Sequence, residues 1–144
     1  MSSDKKVTRH TIKNDELQPF YFLGVVSSEP DYRLSVMINI HLGSDLRKCS
    51  EEITLATPEG TLSFSRFTPD DTAFSLVSNR NSTYILIRRL KNIDFLIIPG
   101  TAQKSDRKHA EVMAKSLREI PEITAVFIFD SREINDRNLE LLLL

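Results

Sequence analysis

Residues 20–43 read FYFLGVVSSEPDYRLSVMINIHLG, and they carry the signals that decide the fold class. The first part, Phe20–Val26, is rich in aromatic and β-branched residues and leads into Ser27 and Ser28. This composition predicts a strand that ends in a turn. The second part, residues 31–42, is the harder one to interpret, because its interior and its ends indicate different structures.

The ends of residues 31–42 predict a helix. Ser28 followed three residues later by Asp31 resembles a capping box, and Pro30 suits the first turn of a helix. Gly43 suits the position just after a helix. The interior is ambiguous, because its apolar residues fit both the period of a strand and the spacing of a helix: Leu34, Val36, Ile38, Ile40 and Leu42 alternate, while Leu34, Met37, Ile38 and His41 share a helical face. The end signals favour the helix.

The rest of the chain indicates strands first and then a second helix. Residues 52–56, 62–67, 72–77, 84–87 and 93–98 have strand composition, and turns at 58–60 and 78–82 predict two hairpins. Ser105 is predicted to cap a helix that runs to Ile120, before Pro121. Ile123–Phe129 is a continuous apolar run, which predicts a strand that is buried on both faces. We therefore expect an α+β fold, mainly an antiparallel β-sheet with two main helices packed on one face.

Composition and charge place the chain in a broad class. Its 144 residues are a common size for one domain, and we expect a polar, partly mobile segment at 1–18 and a single α+β domain at 19–144. The net charge of −1 gives no general attraction to nucleic acid or to a membrane surface. Cys49 is the single cysteine, and neither an apolar signal sequence nor a run of apolar residues long enough to cross a bilayer is present. These features predict a cytoplasmic protein without a membrane segment.

The patterns of the common catalytic and metal sites are missing from the sequence. The histidines are His10, His41 and His109, and none has a neighbouring residue at the spacing of a zinc site. The chain has no G-x-S-x-G elbow for a nucleophile and no glycine-rich loop for a phosphate. Nothing in the sequence therefore predicts a cofactor, a metal ion or a catalytic residue.

Two groups of residues are candidates for binding. Arg88, Arg89 and Lys91 form the densest basic stretch, and they would make an anion or RNA site if they converged with Lys104–Lys108 at the start of the second helix. The alternative is a solvated charged surface.

The second group is Asp31, Tyr32 and Arg33 at the start of the first helix, together with Asp94. These side chains would suit a small molecule or an anion. The alternative is structural: an Asp cap, a tyrosine packed on the sheet, and an ion pair between Asp94 and either Arg33 or Arg89.

Several short motifs resemble the IPExxVDY family of small, uncharacterised bacterial proteins, found mainly in the Bacteroidetes. The motifs lie at residues 22–27, 31–34, 38–39 and 42–43, and Ile93–Phe95 stands where the family has V-D-Y. The chain departs from the family at Arg88–Leu90, where I-P-E is the pattern, and at Phe95, which replaces a tyrosine. The resemblance implies a bacterial cytoplasmic protein with a helix at 31–42, and it transfers no catalytic residue.

Five leucines occupy the last six positions, Leu139–Leu144. Leucines exposed on a terminus favour association, so we expect this leucine tail to lie against its own sheet or against a second copy in a homodimer. Together with the missing catalytic pattern, the tail favours a non-enzymatic interaction or scaffold domain, whose partner is another protein or a second copy. The alternatives are a small-molecule or anion-binding protein, which includes an enzyme of unrecognised type, and an RNA-binding protein.

Overall fold

The computed structural model describes residues 19–100 and 106–143, which contain ten strands and two α-helices. The strands, in chain order, are β1 Tyr21–Val26, β2 Arg47–Lys48, β3 Ile53–Thr57, β4 Gly60–Phe64, β5 Arg66–Thr68, β6 Phe74–Ser78, β7 Arg80–Asn81, β8 Tyr84–Ile85, β9 Phe95–Pro99 and β10 Ala125–Asp130. The α-helices are α1 Asp31–Leu42 and α2 Arg107–Leu117.

Six of these strands form one sheet in the order β10-β1-β9-β6-β5-β2. Every pair of neighbours in it is antiparallel. Both helices pack on one face of the sheet, where Leu34 and Ile38 of α1 and Ala114 and Leu117 of α2 share a core with the sheet residue Val25. The predicted α+β fold is therefore confirmed.

The first helix explains why the apolar pattern of residues 31–42 was ambiguous. Leu34 and Ile38 are fully buried, whereas Val36 and Ile40 are 53% and 79% exposed. The helix is thus apolar on two sides, and the outward side produces the alternation that resembles a strand. Gly43 ends the helix with a φ of 68°, as predicted.

The predicted capping box is wrong, because Pro30 occupies the N-cap position and no side chain caps the helix. In α2, Asp106 is the N-cap, and its Oδ1 accepts a hydrogen bond of 2.8 Å from the backbone N–H of His109. Ser105, the predicted cap, lies outside the described residues, as does the predicted mobile segment at 1–18.

One of the two predicted hairpins is confirmed and the other is wrong. β3 and β4 pair around residues 58–59, and Gly60 takes a positive φ of 133° there. Residues 72–77 do not pair with 84–87. Instead β6 lies between β5 and β9, and the short β7 pairs with β8 around a turn in which Ser82 has a φ of 58°.

The other face of the sheet is covered by irregular chain. The covering segments are the β3–β4 hairpin, the β7–β8 ribbon and three short 3-10 helices, Arg88–Leu90, Ser131–Glu133 and Arg137–Leu143. Together they bury Phe22, Phe64, Leu86, Leu96 and Leu142 in a second core.

The last strand is less buried than its sequence predicts. Ile123–Phe129 was expected to be covered on both faces, but β10 is an edge strand and Phe127 is 48% exposed. Val126 of the same strand is buried under the helices. An apolar run in the sequence does not distinguish a central strand from an edge strand with one open face.

The leucine tail lies on its own domain as far as it is described. Leu142 is 4% exposed, and Leu139 and Leu141 pack beside it on the irregularly covered face. Leu143 is 37% exposed, and Leu144 lies outside the described residues. A homodimer through these leucines stays a prediction, but one surface of the same chain covers more of the tail than we expected.

Candidate functional site

Polar side chains at the start of α1 bind groups of the same segment. Asp31 accepts a hydrogen bond from the backbone N–H of Tyr32, and the Nε of Arg33 lies 3.4 Å from a carboxylate oxygen of Glu29. Tyr32 is 63% exposed, so the expectation that it packs on the sheet is wrong. None of these described contacts joins Asp31, Tyr32 or Arg33 to Asp94, so the site that combines them stays a prediction.

Asp94 binds groups other than the expected arginines. Its Oδ2 accepts a hydrogen bond of 3.0 Å from the backbone N–H of Ser27, and its Oδ1 accepts one of 2.8 Å from the Nε of Arg80. Arg80 also donates to the backbone oxygen of Lys91. The expected ion pair between Asp94 and Arg33 or Arg89 is thus wrong. Arg80 follows β6, the neighbour of β9, so the sheet brings it beside Asp94.

The predicted basic cluster does not form among the described residues. Arg88, Arg89 and Lys91 are exposed and precede β9, while Arg107 follows β9. Arg107 lies over the ring of Tyr21, 5.8 Å from its centroid. Because β1 pairs with β9 in antiparallel fashion, Tyr21 is near the Pro99 end of β9, opposite to the end that follows Lys91. Lys104 lies outside the described residues.

A cavity of about 490 Å³ lies between the C-terminal end of α1, the side of α2 and the sheet, and we call it the helix-face cavity. Its apolar lining comes from all three layers: Leu23, Leu42, Ala73, Phe74, Ile97, Ala110 and Met113. A volume of this size is within the range of sites that hold small molecules. The cavity exists because two rigid helices meet a twisted sheet and do not fill the space between their ends.

Carboxylates dominate the polar groups at the mouth of this cavity. Asp45 follows the C-terminal end of α1, and Asp71 lies in the turn before β6. The Oδ1 of Asp71 accepts a hydrogen bond of 3.0 Å from the N–H of Ala73, and Asp45 is 3.7 Å from the guanidinium of Arg47. The C-terminal end of a helix adds partial negative charge. The mouth is therefore suited to a basic or hydrogen-bond-donating group.

Basic groups surround the ring of Tyr21, which lines the same cavity. Asp130, opposite Tyr21 in the sheet, accepts hydrogen bonds of 3.1 and 2.7 Å from the Nε and Nη2 of Arg132. The backbone N–H of Arg132 donates a third, of 2.9 Å. These bonds from Arg132, followed by the charge of Arg107, hold the pKa of the Asp130 carboxyl below its ordinary value.

A second cleft, of about 530 Å³, lies beside the β3–β4 hairpin. Its lining mixes both charges and hydroxyl groups, from Glu51, Glu52, Ser63 and Arg66. The Nε of Arg66 is buried and has no hydrogen-bond partner among the described residues. Glu52 is paired with Lys48 at 3.5 Å. The lining has little apolar surface compared with the helix-face cavity, so this cleft is the weaker candidate.

No local sequence pattern predicts the helix-face cavity. Asp71 lies in the turn before β6 and His109 lies in α2, and both line the cavity. They come together with Asp45 only because the sheet order brings β6 and β9 under the two helices.

Comparisons with known protein families, with curated proteins and with solved structures found no match to this chain. Within residues 19–100 and 106–143, no helix is long and apolar enough to cross a membrane. The same residues contain no group of three or more His, Cys, Asp or Glu side chains placed to hold a metal ion.

Proposed function

We propose that this protein is a binding domain that holds a small amphipathic molecule in the helix-face cavity. The observation that carries the proposal is the pairing of an apolar interior of about 490 Å³ with two carboxylates, Asp45 and Asp71, at the mouth. An apolar cavity with a few converging polar groups is the usual form of a ligand site.

The lining also defines the chemistry of the ligand. The apolar side chains favour a hydrocarbon or aromatic body, since moving such a body out of water is favourable by about 25 cal/mol for each Å² buried. The carboxylates favour a basic group, because an amine would form charge-assisted hydrogen bonds with them at the exposed mouth. A ligand with an acidic group would be repelled by the same two side chains.

Two matched probes test this proposal, hexylamine and hexanol, which share an apolar chain and differ in the polar group. We expect chemical shift changes in an NMR titration at the cavity residues with both probes, and tighter binding of the amine. Ala73→Leu fills part of the cavity and should abolish the binding of both probes. Ala56→Leu, at an exposed position of β3, is the matched control and should change neither.

The double variant Asp45→Asn and Asp71→Asn separates the two parts of the proposal. It should remove the preference for the amine and leave the binding of hexanol unchanged. If neither probe binds, or if Ala73→Leu does not affect binding, the cavity is not a ligand site.

A second candidate function, a protein-interaction domain, is favoured by the outer side of α1. Tyr32, Val36 and Ile40 follow one another at helical spacing and are 63%, 53% and 79% exposed. An apolar helix of a partner protein suits such a stripe, because helix faces with this spacing recognise one another. A partner captured by the wild type should be lost with Val36→Glu and Ile40→Glu, and retained with Val112→Glu, since Val112 is a 63% exposed valine on α2.

The family and the cellular location that the sequence predicts are also proposals. A bacterial cytoplasmic protein related to the IPExxVDY family is what the motifs at residues 22–43 and 93–95 support. The half-buried Cys49, the single cysteine of the chain, suits a reducing compartment. An alignment of homologous sequences in which Asp31, Arg33 and Asp94 are all conserved would support membership of this family.

A further inference from the structure

The two edges of the sheet are protected to different degrees against pairing with another chain. The edge strand β2 has two residues, Arg47 and Lys48, and both are exposed and charged. The opposite edge strand, β10, has six residues without lysine or proline, and its Phe127 is 48% exposed. Among the described residues, β1 is the only strand that pairs with β10. Short, charged edges resist pairing with another chain, and long apolar edges invite it.

The hydrogen bonds at the end of β10 show which backbone groups point away from β1. The N–H of Ser131 donates to the oxygen of Phe20 at 2.9 Å, so Ser131 directs its backbone toward the β1 side. Backbone direction alternates along an antiparallel strand, so Val126, Ile128 and Asp130 direct their N–H and C=O groups outward. In agreement, the oxygen of Val126 accepts a hydrogen bond of 2.7 Å from the guanidinium of Arg118 and not from a strand.

We propose that β10 pairs with β10 of a second copy of this chain, antiparallel and about a two-fold axis at Phe127. In this register Val126 of one copy lies opposite Ile128 of the other, and the two exchange both backbone hydrogen bonds. Phe127 then faces Phe127 of the second copy as a closely spaced pair without hydrogen bonds, on the face of the sheet that Phe129 shares.

Charge complementarity supports this register and a second copy as the occupant. Glu122 and Arg132 lie beyond the two ends of β10 and are both exposed. Glu122 is in the turn before the strand, and Arg132 is in the 3-10 helix after it, where it binds Asp130. An antiparallel pair centred on Phe127 places the Glu122 end of each copy beside the Arg132 end of the other. In β10, one chain thus has backbone groups that point away from the sheet, an apolar residue at the centre of the strand and opposite charges beyond the two ends of the strand.

In the single chain, the side chain of Arg118 binds a backbone oxygen of this edge. Its guanidinium occupies the outward oxygen of Val126, which the proposed pairing needs for the N–H of Ile128 of the second copy. Arg118 must therefore release this oxygen when two copies associate, and it weakens the pairing. The paired area is small compared with a standard interface, so the dimer should be weak and should form at high protein concentration.

Disulfide trapping tests the register. Phe127→Cys in a Cys49→Ser background should form a covalent dimer under mild oxidation, since residues that face each other across a two-fold axis have neighbouring Cβ atoms. Ala125→Cys in the same background is the control and should cross-link far more slowly, because its opposite residue is Phe129. Equal rates for the two variants would overturn the register.

The molecular mass in solution tests whether two copies of the chain associate. Sedimentation of the full chain over a wide concentration range should show a monomer in equilibrium with a species of twice the mass. Phe127→Lys, with its fold checked by circular dichroism, should raise the dissociation constant about tenfold or more, because like charges then face each other. Ile40→Lys, on the outer side of α1, should leave it unchanged.

Arg118→Ala should shift the equilibrium in the opposite direction, toward the dimer. A chain that stays monomeric at every concentration overturns the proposal. So does association that Ile40→Lys abolishes and Phe127→Lys does not.

Discussion

The two faces of the central sheet are covered by different kinds of structure. On one face, α1 and α2 satisfy their own backbone hydrogen bonds, and they leave a cavity of about 490 Å³ where their ends meet the sheet. On the other face, hairpins, short 3-10 helices and the leucine tail cover the sheet with irregular chain. Irregular chain conforms closely to a surface, but its buried backbone groups need partners from elsewhere.

Asn79 supplies those partners on the irregular face. It is fully buried, and its side chain donates to the oxygens of Leu90 and Ile93 at 3.0 and 2.9 Å and accepts from the N–H of Ile87 at 2.8 Å. One side chain thus satisfies three backbone groups of the segment that links β8 to β9. On the helix face the half-buried Asn39 has a similar but smaller role, since its side chain donates to the oxygen of Leu46 at 3.1 Å and accepts from the N–H of Leu46 at 2.7 Å.

The largest effect on the free energy of unfolding should come from removing the side chain of Asn79. Asn79→Ala leaves the N–H of Ile87 and the oxygen of Ile93 without the partner that Asn79 supplies, while the oxygen of Leu90 still accepts from the N–H of Ile93. We expect a loss of about 3–5 kcal/mol in the free energy of unfolding. Urea denaturation measures it. Asn81→Ala is the control, because Asn81 makes one such bond, to the oxygen of Ser63. A loss at position 79 no larger than the loss at position 81 would show that the irregular face does not depend on Asn79.

The sequence predicts the helix face better than the irregular face, for a physical reason. Helices and strands repeat, so the apolar spacing of residues 31–42 and of α2, with Gly43 after the first helix, indicates their positions, although the predicted N-terminal capping box was wrong. The role of Asn79 depends on contacts with residues 87–93, which no local pattern encodes, and the sequence indicates only a polar turn there. The cavity escapes prediction too, because Asp45, Asp71 and His109 meet only in the folded sheet.

The leucine tail provides the second test of the irregular face. Leu142 is 4% exposed in the core beneath it, whereas Leu143 is 37% exposed. Leu142→Ala should lower the free energy of unfolding by about 2–3 kcal/mol, and Leu143→Ala should change it little. Equal effects in urea denaturation would mean that the tail does not pack on its own domain, and a tail-mediated dimer would become the better explanation.

Asp94 connects the two regions, because it binds the end of β1 through Ser27 and the irregular face through Arg80. Asp94→Ala should cost about 1–2 kcal/mol, mainly from the unpaired N–H of the buried Ser27. A double-mutant cycle with Arg80→Ala should show coupling of less than about 1 kcal/mol, since the pair is partly exposed. The cycle with Arg33→Ala should be additive, and coupling there would contradict the observed partners.

The smallest effect on stability should come from replacing Asp130, which lies beside the helix-face cavity. Its pKa is held below the ordinary value by the hydrogen bonds from Arg132, so the folded state favours the charged carboxylate. The resulting stability is present above the pKa of an unfolded aspartate, about 4, and is lost as the pH falls through the lower folded value. Asp130→Asn should therefore lower the Tm slightly at neutral pH, and its difference from the wild type should shrink below pH ~4. Arg132 is largely exposed, so salt should also reduce the difference. Thermal melts of both proteins over this pH range measure the effect, and a difference that grows as the pH falls would show that Arg132 does not stabilise the carboxylate.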